Sequence, residues 1–171
     1  AMGDSEYRHC LVFHRLSKRS NAPGLRSGFV AGDSDLIDAF FRYRTYHGCA
    51  MPPATQDASI RAWQDERHVL ENRRLYREKF SAVTDILAPV LEVQLPPAGF
   101  YLWPQTPIDD QEFSRHLYQQ QNVVVLPGSY LSRDTDAGNP GENHVRLALV
   151  APLDECIEAA QRIRTFIESL N

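Results

Sequence analysis

The sequence predicts a mixed fold in two parts. Residues 1–50 read as the end of a larger α/β sheet, and residues 51–171 as an interdomain helix with a small α+β domain. Three observations lead there. In the second part the order helix, strand, strand, helix, strand, strand, helix describes a small sheet with helices on one side. In the first part, two short strands joined by a loop bury too little to stand alone, so they belong to a sheet whose other strands lie elsewhere. The composition, 43% hydrophobic and 23% charged over 171 residues, is that of an ordinary globular chain, and at this length about 70% of the unfolded surface is buried on folding.

Each element has a local cause. Residues 10–13 are a short apolar run and read as a strand. Residues 14–25 are polar, punctuated by Pro23 and Gly24, and read as a loop. Residues 28–31 read as a second strand, stopped by Gly32 and Asp33. Asp33 or Ser34 caps a helix that continues through Phe41. Residues 48–53 break it, and Pro53 suits the first position of a new helix. From residue 54 to about 88 the pattern is helical, in two segments. Val69, Tyr76, Phe80, Val83 and Leu87 share one face, while Arg73, Arg74, Arg77, Glu78 and Lys79 make a solvated face with intrahelical ion pairs. Pro89 ends the helix. Leu91, Val93 and Leu95 alternate as a strand, and after the turn at Pro96, Pro97 and Gly99 residues 100–103 form another. Asp109 with Glu112 makes a capping box for a helix carrying Phe113 and Leu117. Residues 123–126 read as a strand ended by Pro127 and Gly128, residues 134–143 as a loop, and residues 145–150 as a strand. Pro152 opens the last helix, with Cys156, Ile157, Ala160, Ile163, Ile167 and Leu170 on one stripe.

Composition narrows the function classes. Lys and Arg number 18 against 22 Asp and Glu, a net charge of −4, which speaks against a nucleic-acid partner. Cys10, Cys49 and Cys156 form neither a disulfide framework nor a zinc pattern, and they fit a reducing, cytoplasmic setting. His9, His14, His47, His68, His116 and His144 lack metal-ligand spacing, so no metal is expected. No apolar run approaches the ~18 residues that span a bilayer, so no membrane is expected either. The start, Ala1-Met2-Gly3-Asp4, has no signal-peptide core and reads as a cut point before an apolar strand.

The most informative stretch is residues 16–28, Leu-Ser-Lys-Arg-Ser-Asn-Ala-Pro-Gly-Leu-Arg-Ser-Gly. It sets Lys18 just after a strand and Arg26 across a turn from it. A lysine amine forms an imine with an aldehyde once it is deprotonated. A nearby arginine lowers that amine's pKa by like charge and grips a phosphate with two parallel bonds. An aldehyde and a phosphate are what pyridoxal phosphate presents. The plainer reading is a surface loop with ordinary basic residues.

These residues also resemble the pyridoxal-phosphate attachment signature of class I/II aminotransferases: a small residue, the lysine, a spacer, then Gly24-Leu25-Arg26-Ser27-Gly28. Further stretches are similar to the N-succinyldiaminopimelate aminotransferase branch of that family: Phe13-His14, residues 43–51 (YRTYHGCAM), 71–80 (ENRRLYREKF), 98–104, 125–131, 139–143 and 145–150. The resemblance covers nearly the whole chain. It implies the type I fold of pyridoxal-phosphate transferases, with the end of the large-domain sheet in residues 1–50 and the small domain after residue 51. It implies pyridoxal 5'-phosphate as cofactor, amino-acid and 2-oxo-acid substrates, and amino transfer between N-succinyl-diaminopimelate and 2-oxoglutarate in lysine biosynthesis. It further implies a cytoplasmic homodimer with residues of both subunits in each site.

By the same resemblance Lys18 holds the cofactor and moves the proton between the substrate α-carbon and the cofactor's C4′. Arg26 and Ser17 contact the cofactor, Arg146 grips the substrate α-carboxylate, and Arg44 binds a distal carboxylate of the substrate. Ser129 and Tyr130 line the mouth of the substrate site. Taken alone, Arg146 is a strand arginine facing solvent and Arg44 a helix-end arginine. Two departures stand out. Three positions before the lysine the family has a small residue, usually serine, whose hydroxyl bonds the phosphate; here it is the far bulkier Arg15. Such enzymes are also more than twice this long. The glycine-rich phosphate cradle, the aromatic residue stacked on the cofactor ring and the aspartate at the pyridine nitrogen are missing, so an N-terminal half is expected as a further part. Two alternatives follow. One is a truncated, non-catalytic remnant serving as a folding or interaction module, with exposed apolar surface around residues 10–13 and Phe29-Val30. The other is an aminotransferase for a different dicarboxylate.

Overall fold

The computed structural model describes residues 7–48 and 50–170; the readings placed on Ala1 to Asp4 and on Cys49 lie outside them. The chain divides into two compact units, Ala1–Asn72 and Arg73–Asn171.

The first unit is built on an antiparallel pair, β1 (Leu11–Arg15) and β2 (Gly28–Gly32), in register from Leu11 opposite Gly32 to Arg15 opposite Gly28. Gly28 is needed there: a Cβ would sit 2.6 Å from the His14 carbonyl oxygen, so any side chain would push the strands apart. Between the strands the chain is not the loop expected over residues 14–25. The strand runs on to Arg15, one helical turn follows as α1 (Leu16–Arg19), and a 3₁₀ turn, Pro23–Leu25, closes the connection. Backbone satisfaction explains the difference. Ser20 N and Ala22 N both donate to the Leu16 carbonyl, Leu16 N donates to Ser27 O at 3.1 Å, and the Leu16 side chain is fully buried.

α2 (Ser34–His47) starts at the expected cap, with Asp33 Oδ1 accepting from Asp35 N at 2.9 Å and Leu36 N at 3.1 Å. It continues past Phe41 because no breaker occurs before Gly48, whose N–H ends the helix on Arg44 O at 2.7 Å. α3 (Pro53–Gln64) opens at Pro53 as expected. It packs against α1, which is why compactness groups it with the first unit although residues 1–50 were set apart by fold role.

α4 (Arg67–Leu87) crosses the division between the units. Its apolar face is the expected one: Val69 is buried in the first unit, and Phe80, Val83 and Leu87 in the second. Arg73, Arg74 and Arg77 are exposed, with Arg74 paired to Glu78.

The second unit carries an antiparallel sheet in the order β3 (Tyr101–Leu102), β5 (Val145–Ala148), β4 (Leu126–Pro127). The alternation of Leu91, Val93 and Leu95 does not make a strand. The segment is extended with no ladder partner among the described residues; Leu91 is buried in the core and Leu95 is exposed. The strand expected over residues 123–126 likewise shrinks to Leu126–Pro127, because Val123 and Val125 pack into the core without joining a ladder. α5 (Asp110–Gln121) starts at Asp109, whose Oδ1 accepts from Gln111 N and Glu112 N, both at 3.0 Å. α6 (Leu153–Glu168) buries Cys156, Ala160, Ile163 and Ile167, and adds Phe166, which the predicted stripe omitted; Leu170 lies beyond the helix and is exposed. Phe113 and Phe166 meet edge to face at 5.3 Å in the centre of this core.

Candidate functional site

In the first unit Lys18 is the third residue of α1 and is exposed, so it stands on a helical turn and not in the loop the sequence suggested. Ser17, its neighbour, is buried. Arg26 follows the 3₁₀ turn in a left-handed conformation, φ 50°, with its Nη1 on Pro23 O at 3.3 Å. Ser17, Arg26 and Arg44 line one cavity of about 520 Å³, together with Arg15, Ser27 and Gly28. Among the described residues no carboxylate lines this cavity, and Lys18 is not part of its lining. Arg15, the departure from the family pattern, thus shares a cavity with Arg26, and its side chain has no hydrogen-bond, ion-pair or ring partner among the described residues. Three arginines and two serines share this lining with an apolar wall of Phe13, Phe29, Phe40 and Phe41, so an anion such as a phosphate suits its polar side.

In the second unit Arg146 lies within β5 and is half-buried. Its Nε is buried with no hydrogen-bond partner, and its guanidinium stands 5.9 Å from the centre of the Tyr101 ring. It faces a cavity of about 620 Å³ walled by Leu95, Pro96, Tyr101, Trp103 and Leu131, again without a carboxylate. A cation with unspent donors beside an apolar and aromatic wall suits a carboxylate substrate group.

Ser129 and Tyr130 are placed differently from Leu131. Ser129 N and Oγ donate to Asp110 Oδ2 at 2.9 and 2.7 Å, and the Tyr130 hydroxyl donates to Gln111 Oε1 at 3.2 Å. Asp110 was not singled out in the sequence beyond the capping pattern next to it, yet it is fully buried and also accepts Asn143 N at 3.3 Å. Burial raises its pKa, but the bonds from Ser129 and Asn143 outweigh this and hold the carboxyl below its ordinary range. Asp110 therefore pins two loops, the turn Gly128–Tyr130 and the segment before β5, as a carboxylate at neutral pH.

Comparison with known proteins identifies the family and the fold. The profile of the aminotransferase class I and II family matches residues 1–163. The LL-diaminopimelate aminotransferase of Syntrophobacter fumaroxidans is 32% identical over 156 residues, covering 89% of this chain and 39% of that protein. The crystal structure of an aminotransferase from Neisseria meningitidis is 54% identical with a TM-score of 0.88, over 94% of this chain and 41% of that one. A probable N-succinyldiaminopimelate aminotransferase from Thermus thermophilus is 30% identical with a TM-score of 0.83, over 95% and 43%. The fold is the mixed helix–sheet fold of type I pyridoxal-phosphate aminotransferases, of which the chain covers part. The chain belongs to the class I and II aminotransferases. It spans about two fifths of the length of the relatives it matches. Among the described residues no helix is long and apolar enough to cross a membrane, and no cluster of His, Cys, Asp and Glu could hold a metal ion.

Proposed function

We propose that the chain is part of a pyridoxal-phosphate-dependent aminotransferase that moves an amino group between N-succinyl-diaminopimelate and 2-oxoglutarate in lysine biosynthesis. The observation that carries this reading is the cavity lined by Ser17 and Arg26, which has no carboxylate among the described residues, with Lys18 next to Ser17 on one helical turn. The lining residues fit a phosphate-bearing cofactor: Arg26 supplies a planar fork of donors and Ser17 stands beside it. Pyridoxal phosphate supplies an electron sink for charge that develops at the substrate α-carbon. Lys18 Nζ would hold the cofactor and then take and return the α-proton. Arg146, beside the cavity of the second unit, receives the substrate α-carboxylate on its planar guanidinium fork. Arg44, which lines the same cavity as Ser17 and Arg26, binds the distal carboxylate of the substrate. Residues 1–50 complete the large-domain sheet and residues 51–171 the connecting helix and small domain. The reading requires the remaining, N-terminal part of the family's length, and it sets the protein in the cytoplasm.

A second reading, unsuccinylated LL-diaminopimelate as amino donor, is favoured by the curated relatives carrying that name. Assaying the intact protein with 2-oxoglutarate and each donor separates the two. The expected result is a kcat/KM for the succinylated donor higher by roughly tenfold or more. The opposite preference assigns the second substrate, and turnover of neither sinks both, leaving an aminotransferase for a different dicarboxylate or a non-catalytic module.

A further inference from the structure

Asp65, His68 and Ser20 form a continuous hydrogen-bonded chain in the first unit. His68 Nδ1 lies 2.9 Å from Asp65 Oδ2 and His68 Nε2 lies 2.8 Å from Ser20 Oγ. With Nδ1–H donating to the carboxylate, Nε2 accepts the Ser20 hydroxyl. Asp65 Oδ1 also accepts Arg67 N at 3.0 Å, so the same residue closes the turn between α3 and α4. These are the residue types of a nucleophilic triad, but the surroundings are not those of one. The amides of Ser20 and Ala22 are both spent on the Leu16 carbonyl, and neither cavity described above reaches Ser20 or His68.

What the chain of bonds does is tie down α1. Ser20 caps the C-terminal end of that helix, two residues after Lys18. Arg19 makes a second tie. Its side chain is only 7% exposed, its Nη1 donates to Ala62 O at 2.8 Å, it pairs with Glu66, and its guanidinium lies 4.9 Å from the centre of the Trp63 ring. Asn21 Nδ2 adds a third, donating to Asn72 Oδ1 at 2.6 Å. A helix of one turn does not hold itself in water. Here Leu16 and Ser17 are buried before Lys18, and Arg19, Ser20 and Asn21 are anchored to α3 and α4 after it.

We infer that the Asp65–His68–Ser20 chain, with the Arg19 clamp, is a positioning device that fixes the direction of the Lys18 amine. His68 and Ser20 are positioning residues: they act through α1 and touch neither substrate nor cofactor. The inference rests on the role proposed above for Lys18.

The chain has two lysines, Lys18 and Lys79, so it carries its own control. Lys79 lies over the Tyr76 ring and donates to Leu149 O at 3.4 Å, remote in sequence from α1. The intact protein is mixed with pyridoxal phosphate and reduced with borohydride, and the ratio of Lys18 to Lys79 adduct is read by peptide mass across pH. The unsubstituted protein is expected to label mainly at Lys18. His68→Ala and, separately, the milder Ser20→Ala each lower the ratio by roughly tenfold and move the pH midpoint of Lys18 labelling, in protein that keeps its circular dichroism. Asp65→Asn, whose single amide oxygen can keep the imidazole N–H only by giving up Arg67 N, lowers the ratio less than His68→Ala does. An unchanged ratio and midpoint in both alanine variants overturns the inference even if melting temperatures fall, because a purely structural contact alters stability without altering the ratio in folded protein. Absence of Lys18 adduct in the unsubstituted protein overturns the reading of Lys18 itself, and the positioning role falls with it.

Discussion

Asp110 shows how much one buried carboxylate can decide. It accepts Ser129 N, Ser129 Oγ and Asn143 N, and so joins the start of α5 to the turn Gly128–Tyr130 and to the segment leading into β5, where Arg146 sits. Replacing it by alanine strands those donors, at a cost of about 2–3 kcal/mol. Because its folded-state pKa is lowered, its stabilisation is present above the ordinary carboxylate value and is lost as pH falls through the folded value. The melting temperature is therefore expected to fall below about pH 4, and Asp110→Asn to be less stable at neutral pH but to decline less steeply in acid. Parallel curves for the two proteins would contradict this. Lys18 and Arg26 could be proposed from the sequence because their spacing is local and resembles a known signature. Asp110 and His68 could not, because their partners lie 19 and 48 residues away and carry no spacing of their own.

At the scale of elements, the helices were legible and the strands much less so. Asp33 and Asp109 announce helix starts through caps two and three residues away, and Pro53 and Pro152 open helices by fixing φ. A strand exists only if a distant partner pairs with it, so the alternating Leu91, Val93 and Leu95 gave a false strand and residues 123–126 a misplaced one. α1 was missed because four residues show no helical period, and its cause is burial of Leu16 together with bonds to its carbonyl. The turn Gly128–Tyr130 has its own requirement. Gly128 and Gly141 lie backbone to backbone, and a Cβ on either would overlap the other's carbonyl oxygen. Gly128→Ala is expected to destabilise by about 1–3 kcal/mol in urea denaturation, as overpacking does. A variant of unchanged stability would show that the two segments part freely.

At the scale of the whole molecule, the first unit leaves much apolar surface uncovered. α2 has no buried residue; Phe41 is 73% and Tyr46 87% exposed, and Val12, Phe13 and Phe29 of the β1–β2 pair are exposed as well. That exposure was expected from two strands too short to be a domain, and it fits a chain spanning about two fifths of its relatives' length. The second unit, by contrast, closes a core of its own around Phe113 and Phe166. The two cavities lie one in each unit, with Arg26 in the first and Arg146 in the second. The central claim is that Lys18 is the cofactor lysine of an aminotransferase. Its most direct test is to reduce the intact protein in the presence of pyridoxal phosphate, with and without amino-acid substrate, and to map the modified residue. The expected result is one dominant adduct at Lys18 that the substrate suppresses. Adduct scattered over other amines, or adduct at Lys18 indifferent to substrate, would contradict it.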